Sequence, residues 1–322
     1  MDKLKIGVIG TGHMGVNHVR NLSDEKRFDL VGIFDADINR AKEIAGEYDT
    51  KAFESLDDLL DNVDAVVVAV PSSLHKEVGL KVAEKGKHAL IEKPLATNSA
   101  DAKEISEAFK KKGLKLQVGH IERFNAVVQE MKSILKGKEI FYIEARRYSA
   151  FSGSGRISDV SVIEDLMIHD IDIVCDLMEP SEVTDIRGNG ESIRSDLVDF
   201  ATCMIDFSSN AHAVINASRV SQEKERKIEV HTADSIVSAD LLTKTLTITQ
   251  NTEMIIESAD SGKYKQDAVV QKVFVPILEP LRAELKSFYE AVVNDAKILV
   301  DGDVAARAIG ICEKVVERAN QG

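Results

Sequence analysis

Lys5-Ile6-Gly7-Val8-Ile9-Gly10-Thr11-Gly12-His13-Met14-Gly15 is the stretch on which the reading of the chain turns. A short apolar run ends in a Gly-x-Gly-x-x-Gly turn, and Val16 to Leu22 continue with helical spacing. Strand, turn and helix therefore come in the order that a dinucleotide-binding unit requires. Each glycine answers a separate steric demand. Gly10 lets the chain turn sharply out of the strand, Gly12 removes the side chain that would block a pyrophosphate, and Gly15 lets the helix pack close to the sheet. The diphosphate then rests on the open N–H groups at the helix start, where His13 and Met14 stand. Phe28 to Phe34 reads as the next strand, and Asp35 closes it 20 positions past Gly15. A carboxylate there accepts the ribose hydroxyls of NAD and repels the 2′-phosphate of NADP, so NAD is the expected cofactor and NADP the less favoured one.

Working outward, Asp37 to Tyr48 has the pattern of a helix capped by Asp37, with Arg40 in its first turn and within reach of the adenosine side of the cofactor. Asp64 to Val70 is a β-branched apolar strand of the kind buried on both faces of a parallel sheet. Pro71 and His75 follow at its carboxyl end, where such sheets bind ligands, and both are candidate cofactor contacts. Helix and strand alternate again through Lys76–Lys85 and His88–Ile91, whose end delivers Glu92-Lys93-Pro94. A residue before proline is held extended, so Lys93 projects from the strand end. After a helix to Lys112 and a strand to Val118 the alternation stops in Gly119-His-Ile-Glu-Arg-Phe-Asn125. Short alternating segments follow, including a hairpin around Ser208-Ser209-Asn210, and the chain returns to helix from Pro280. The expected fold is α/β: a Rossmann doubly wound parallel sheet over 1–121, then an α+β domain over 122–322 with an open, mostly antiparallel sheet.

Composition narrows the function. With 322 residues, 44% hydrophobic and 30% charged, the chain has the make-up of an ordinary two-domain globular protein. A net charge of −13 disfavours a nucleic-acid surface. No apolar run approaches the roughly 20 residues that span a bilayer, and Met1-Asp2-Lys3 leads straight into the first strand, so no membrane association and a cytoplasmic location are expected. Cys175, Cys203 and Cys312 stand apart from one another and from histidines, which argues against disulfides and structural zinc; no metal is called for.

Ser161 to Met178 reads as one helix. Asp165 and His169 lie one turn apart on it and can hydrogen-bond, while Asp172 and Asp176 follow on the same face. No Lys or Arg occurs from Ile157 to Ile186, although that span holds nine acidic residues. A concentrated negative field raises a histidine's pKa toward the range of a useful general base.

Gly10-x-Gly12-x-x-Gly15 with Asp35, Glu92-Lys93-Pro94 and Asp165-x-x-x-His169 together resemble the glucose-fructose oxidoreductase, inositol dehydrogenase and rhizopine-catabolism (Gfo/Idh/MocA) family of NAD(P)-dependent sugar and polyol dehydrogenases. The resemblance covers essentially the whole chain. It implies an oxidoreductase with Lys93, Asp165 and His169 as catalytic residues, Glu92 and Lys93 beside the cofactor, a frequently cis Lys93–Pro94 bond, and a homodimer or homotetramer built on the open sheet. The strings Gly119–Asn125 and Asp165–Asp172 are similar to those of the branch that oxidises the 3-hydroxyl of UDP-N-acetylglucosamine, with Ala126 where that branch has proline. A nucleotide sugar needs cationic and polar partners for its diphosphate. Arg123, Asn125 and Arg156 are the candidates, beside Asp165 for the sugar, and Arg146 and Arg147 are two further arginines of which at least one faces solvent. An inositol or other neutral polyol dehydrogenase, and an NAD-binding sensor without turnover, are the alternatives.

Overall fold

The computed structural model describes residues 3–150, 160–258, 263–276 and 278–319. By contacts the chain divides into two units, Met1–Phe124 with Glu279–Gly310, and Asn125–Leu278 with Ile311–Gly322.

The first unit follows the alternation read from the sequence. It runs β1 (Leu4–Ile9), α1 (His13–Asp24), β2 (Phe28–Phe34), α2 (Ile38–Glu47), α3 (Leu56–Asn62), β3 (Ala65–Val68), α4 (His75–Glu84), β4 (His88–Glu92), α5 (Ser99–Lys111) and β5 (Leu116–Gly119). The five strands are parallel, in the order β2-β1-β3-β4-β5. Every residue of β3 is buried, as expected for a strand covered on both faces. Helix starts are fixed by side chains that satisfy otherwise unpaired amides. Asp37 accepts from Asn39 and Arg40, Ser55 from Asp58, and Asn98 from Asp101, each cap contributing about 1 kcal/mol.

The second unit holds α6 (Ala126–Leu135), β6 (Ile140–Ala150), a helical segment that starts as a π-turn (Ile163–Met167) and continues as α7 (Ile168–Leu177), and the strands β7 (Val183–Glu191), β8 (Phe200–Phe207), β9 (His212–Ser221), β10 (Glu225–Thr232), β11 (Ser235–Asp240), β12 (Thr245–Ser258) and β13 (Lys263–Phe274). They form one sheet in the order β13-β12-β11-β10-β6-β9-β8-β7. Only the β6–β9 pairing is parallel. The hairpin expected around Ser208-Ser209-Asn210 joins β8 to β9, with Asn210 at φ 64°.

By contacts the segment after residue 278 groups away from the second sheet: α8 (Pro280–Val293) and the first half of α9 (Gly302–Ala319) fall in the first unit. Leu285, Phe288 and Tyr289 of α8 join the core around Ile6, Val8, Phe28 and Ile33, and the Tyr289 ring meets Phe28 edge-on at 5.6 Å. Ahead of α9, Val300 O accepts from Val118 N at 2.9 Å, extending the pairing beyond β5. All three cysteines are buried, and burial, with a smaller contribution from Cys175, pushes the Cys203 thiol up to about 12. Among the described residues no helix is long and apolar enough to cross a membrane.

Candidate active site

The glycine turn meets its steric demands residue by residue. Gly10 adopts φ +92°, and a Cβ there would stand 2.7 Å from Ala69 O. A Cβ on Gly15 would stand 1.9 Å from Gly10 O, so only glycine lets α1 approach the strand. A Cβ on Gly12 would meet nothing within 4 Å, and Gly12 instead lines a cavity of about 420 Å³ with Thr11, His13, Asn17, Asp35 and Arg40. The first intrahelical bond of α1 runs from Val16 N to Gly12 O, which leaves the amides of His13, Met14 and Gly15 at the open end of the helix. The residues present thus fit a dinucleotide: a cradle without side chain, a helix N-terminus, and an acid after β2.

Asp35 is held ready. Its Oδ2 accepts from Thr11 N at 2.6 Å and from Thr11 Oγ1 at 2.7 Å, and its Oδ1 from Asp37 N at 2.9 Å. Burial alone would push this carboxyl up. The Thr11 hydroxyl, the amides of Asp37 and Thr11, and the Arg40 charge outweigh burial and hold it below the ordinary aspartate value. Thr11, whose place between two glycines is its only sequence signal, is the residue that sequence reasoning missed here.

At the carboxyl ends of β3 and β4 lies His75, a candidate cofactor contact, whose ring is only 1% exposed, with Nδ1 2.8 Å from Pro94 O and Nε2 2.9 Å from Val70 O. Both nitrogens are occupied by backbone carbonyls, so His75 ties the loop after β3 to the loop after β4. Burial lowers its pKa, against the opposing pull of the two carbonyls and the Glu92 charge. Pro71 is exposed at the end of the β3 loop. The Lys93–Pro94 bond is cis. Glu92 is buried beneath it: Oε1 lies 2.7 Å from His18 Nε2, and Oε2 accepts from Lys93 N at 3.3 Å. Glu284 of α8 is fully buried, and neither of its carboxyl oxygens has a hydrogen-bond partner among the described residues. Burial first, and the Glu92 charge second, raise its pKa well above the ordinary glutamate value.

In the second unit Asp165 lies in the π-turn, where Ile168 N reaches back five residues to Ile163 O, and His169 follows at the start of α7. Every residue of α7 except His169 is buried, Asp170, Asp172 and Asp176 included. The bases absent from the local sequence come from other elements. Arg147 of β6, 2% exposed, donates through Nε and Nη2 to Asp170 at 2.8 Å each, and Lys132 of α6 pairs with Asp176. Arg219 of β9 places its Nε 3.9 Å from Asp165 Oδ2. His169 is therefore the one side chain of α7 that is not buried.

The proposed diphosphate partners fare unevenly. Asn125 is buried and spends its side-chain oxygen capping α6 through Val127 N, and Arg123 is buried in the short turn Ile121–Phe124. Arg146 faces Glu144 and Glu225 on a partly exposed strand face, whereas Arg147 is committed to Asp170. Arg156 and the Ser152–Gly155 stretch lie outside the described residues.

A parallel sheet ending in this glycine turn and a poised acid define a dinucleotide-binding protein of the Rossmann class. Two family models match the chain: an oxidoreductase family with NAD-binding Rossmann fold over residues 4–120, and a Gfo/Idh/MocA C-terminal domain over residues 142–237. Among curated relatives, UDP-N-acetylglucosamine 3-dehydrogenase of Acidithiobacillus ferrooxidans is 30% identical, covering 98% of this chain and 97% of its own. The solved structure of that enzyme superposes with a TM-score of 0.90 over 100% of this chain and 99% of its own. The NAD(+)-dependent scyllo-inositol 2-dehydrogenase of Bacillus subtilis is 30% identical over 68% of each chain, and myo-inositol 2-dehydrogenase of Thermotoga maritima 27% over 95% of this chain and 93% of its own. The chain belongs to the Gfo/Idh/MocA family of oxidoreductases.

Proposed function

We propose that this oxidoreductase uses NAD to oxidise a secondary ring hydroxyl of a nucleotide sugar, the 3-hydroxyl of UDP-N-acetylglucosamine or a closely related UDP-sugar. The observation that carries the reading is the full-length similarity to an enzyme of that name, joined to the Glu92-Lys93-Pro94 and Asp165/His169 positions. NAD, when bound, supplies the hydride acceptor. The protein's own residues supply proton transfer and charge. His169 Nδ1 is buried, so Nε2 is the nitrogen that takes the hydroxyl proton; Asp165 stabilises the charged imidazole, and Lys93 Nζ stabilises the developing oxyanion. Gly10, Gly12, Gly15 and the amides of His13 and Met14 hold the pyrophosphate, Asp35 and Arg40 the adenosine side, and Pro71, Glu92 and Lys93 the remainder of the cofactor site. Arg123 and Arg156 are proposed for the substrate diphosphate.

A neutral polyol is the second reading. It is favoured by the inositol dehydrogenases among the relatives and by the burial of Arg123 and Asn125. Thermal melts in the presence of NAD separate the two. UDP at millimolar concentration should raise the melting temperature under the first reading, because a ligand that binds the native state stabilises it by mass action. No rise with UDP and a rise with myo-inositol would replace it by the second.

NAD is proposed over NADP because the Asp35 carboxylate, held ionised by Thr11, opposes a 2′-phosphate. Asp35→Ser should narrow the preference by about tenfold, equivalent to about 1.4 kcal/mol, in parallel titrations of the two cofactors. Equal binding of both by the native protein would contradict the assignment. Exposed Val269, Val270 and Phe274 on β13 support a homodimer or homotetramer, and we place the enzyme in the cytoplasm.

A further inference from the structure

Of the three bases that answer the acids of the π-turn and α7, Arg219 behaves differently from the other two. Arg147 and Lys132 each touch their acid, and the acids they touch, Asp170 and Asp176, are buried. Arg219 is also buried, yet it stands back from Asp165: its Nε lies 3.9 Å from Asp165 Oδ2, beyond hydrogen-bond reach. That Nε has no hydrogen-bond partner among the described residues. Two other contacts fix the residue. Nη2 donates to Val160 O at 2.6 Å, on the approach to the π-turn, and the backbone N–H donates to Asp199 O at 2.8 Å. Asp199 in turn organises the turn before β8, accepting from the amides of Ile193, Arg194 and Ser195.

The charge balance gives this placement its meaning. Glu164 and Asp165 come from the π-turn, Asp172 from α7 and Asp199 from the segment before β8, while Asp170 and Asp176 already have their bases. Asp165 itself remains partly exposed, its side chain at 43%. Burial lowers the Arg219 pKa, and Asp165, Asp199 and Glu164 push it back up; an arginine stays charged under such opposition. A fixed positive charge thus faces Asp165, which with Glu164 stays partly open to solvent while Asp172 and Asp199 are buried.

We propose that Arg219 is a positioning residue for the acid–base pair, orienting the Asp165 carboxylate from β9 and offsetting the acidic field of Glu164, Asp165 and Asp199 around His169. The inference rests on the reading of Asp165 and His169 as that pair. A base must be unprotonated to accept the substrate's proton, and an uncompensated acidic field favours its protonated form. Arg219 therefore keeps His169 competent at lower pH than the acids alone would allow.

The pH dependence of kcat/KM in Arg219→Gln, Arg219→Met and Arg219→Lys, each with saturating NAD, tests this. The two neutral variants should move the acid limb upward by about half a pH unit or more, and Arg219→Lys should return it to the native position. A merely structural role lowers activity without moving the limb. A native limb in a folded neutral variant, or a lysine variant shifted as far as the glutamine one, would overturn the proposal. If both neutral variants fail to fold, the lysine variant together with Asp199→Asn decides. Removing the Asp199 charge should shift the limb downward, and an unmoved limb there would overturn the proposal as well. Asp165→Asn and His169→Asn are assayed beside them. Should those keep near-native turnover, the acid–base reading itself fails; should they lose turnover while the Arg219 limb stays native, this inference alone fails.

Discussion

Lys93→Met and His169→Asn are each expected to lower kcat by about two orders of magnitude or more, the usual loss when a positioned oxyanion donor or general base is removed. NAD affinity should survive in both, because the glycine turn, the start of α1 and the poised Asp35 carry the pyrophosphate and ribose independently of either residue. For His169 the expectation has a structural basis beyond resemblance: it is the one residue of α7 that is not buried, in a helix whose acids are matched inward by Arg147 and Lys132. Single-turnover measurements of NADH formation with saturating NAD check both variants. Near-native rates would return the two residues to structural roles.

Glu284→Gln should stabilise the protein, and increasingly so as pH rises from 5 to 8. Glu284 is fully buried, its carboxyl oxygens lack hydrogen-bond partners among the described residues, and burial and the Glu92 charge both raise its pKa. A carboxyl whose folded pKa is raised contributes its full share of stability below the unfolded value of about 4.3 and loses it as pH climbs toward the folded value. Over that interval the native state loses stability as pH rises, read as a falling melting temperature. Glutamine has the same shape and no proton to lose, so its variant escapes the cost. Melting curves from pH 5 to 8 should diverge, with the variant above the native protein at the alkaline end. A variant uniformly less stable across the range would show that the Glu284 carboxylate is ionised and paired.

Elements whose patterns are set locally were legible in the sequence. The glycine turn, the apolar β3 and the capping residues Asp37 and Asn98 each contain their own cause. The strands that periodicity failed to show are β7 and β13, the two edges of the large sheet. In β7, Gly188 and Gly190 leave out the side chains that would mark a strand, because Val315 and Ala319 of α9 pack there: added Cβ atoms would stand 3.0 Å from Val315 and 3.1 Å from Ala319. Long-range partners were not legible at all. Nothing in Pro280–Val293 says that its apolar face joins the first sheet, and nothing near Asp170 says that Arg147 answers it across 23 positions. For His75 the sequence shows a place after β3 but not that its ring bridges two strand-end loops, because those contacts are set by the fold.

The most direct test of the account is incubation of the protein with NAD and, separately, UDP-N-acetylglucosamine, other UDP-sugars, free hexoses and inositols, read as NADH absorbance. NADH should form with a UDP-sugar, UDP-N-acetylglucosamine foremost, at a rate about a hundredfold or more lower in His169→Asn. NADH formation with an inositol or free hexose and none with any UDP-sugar would contradict it.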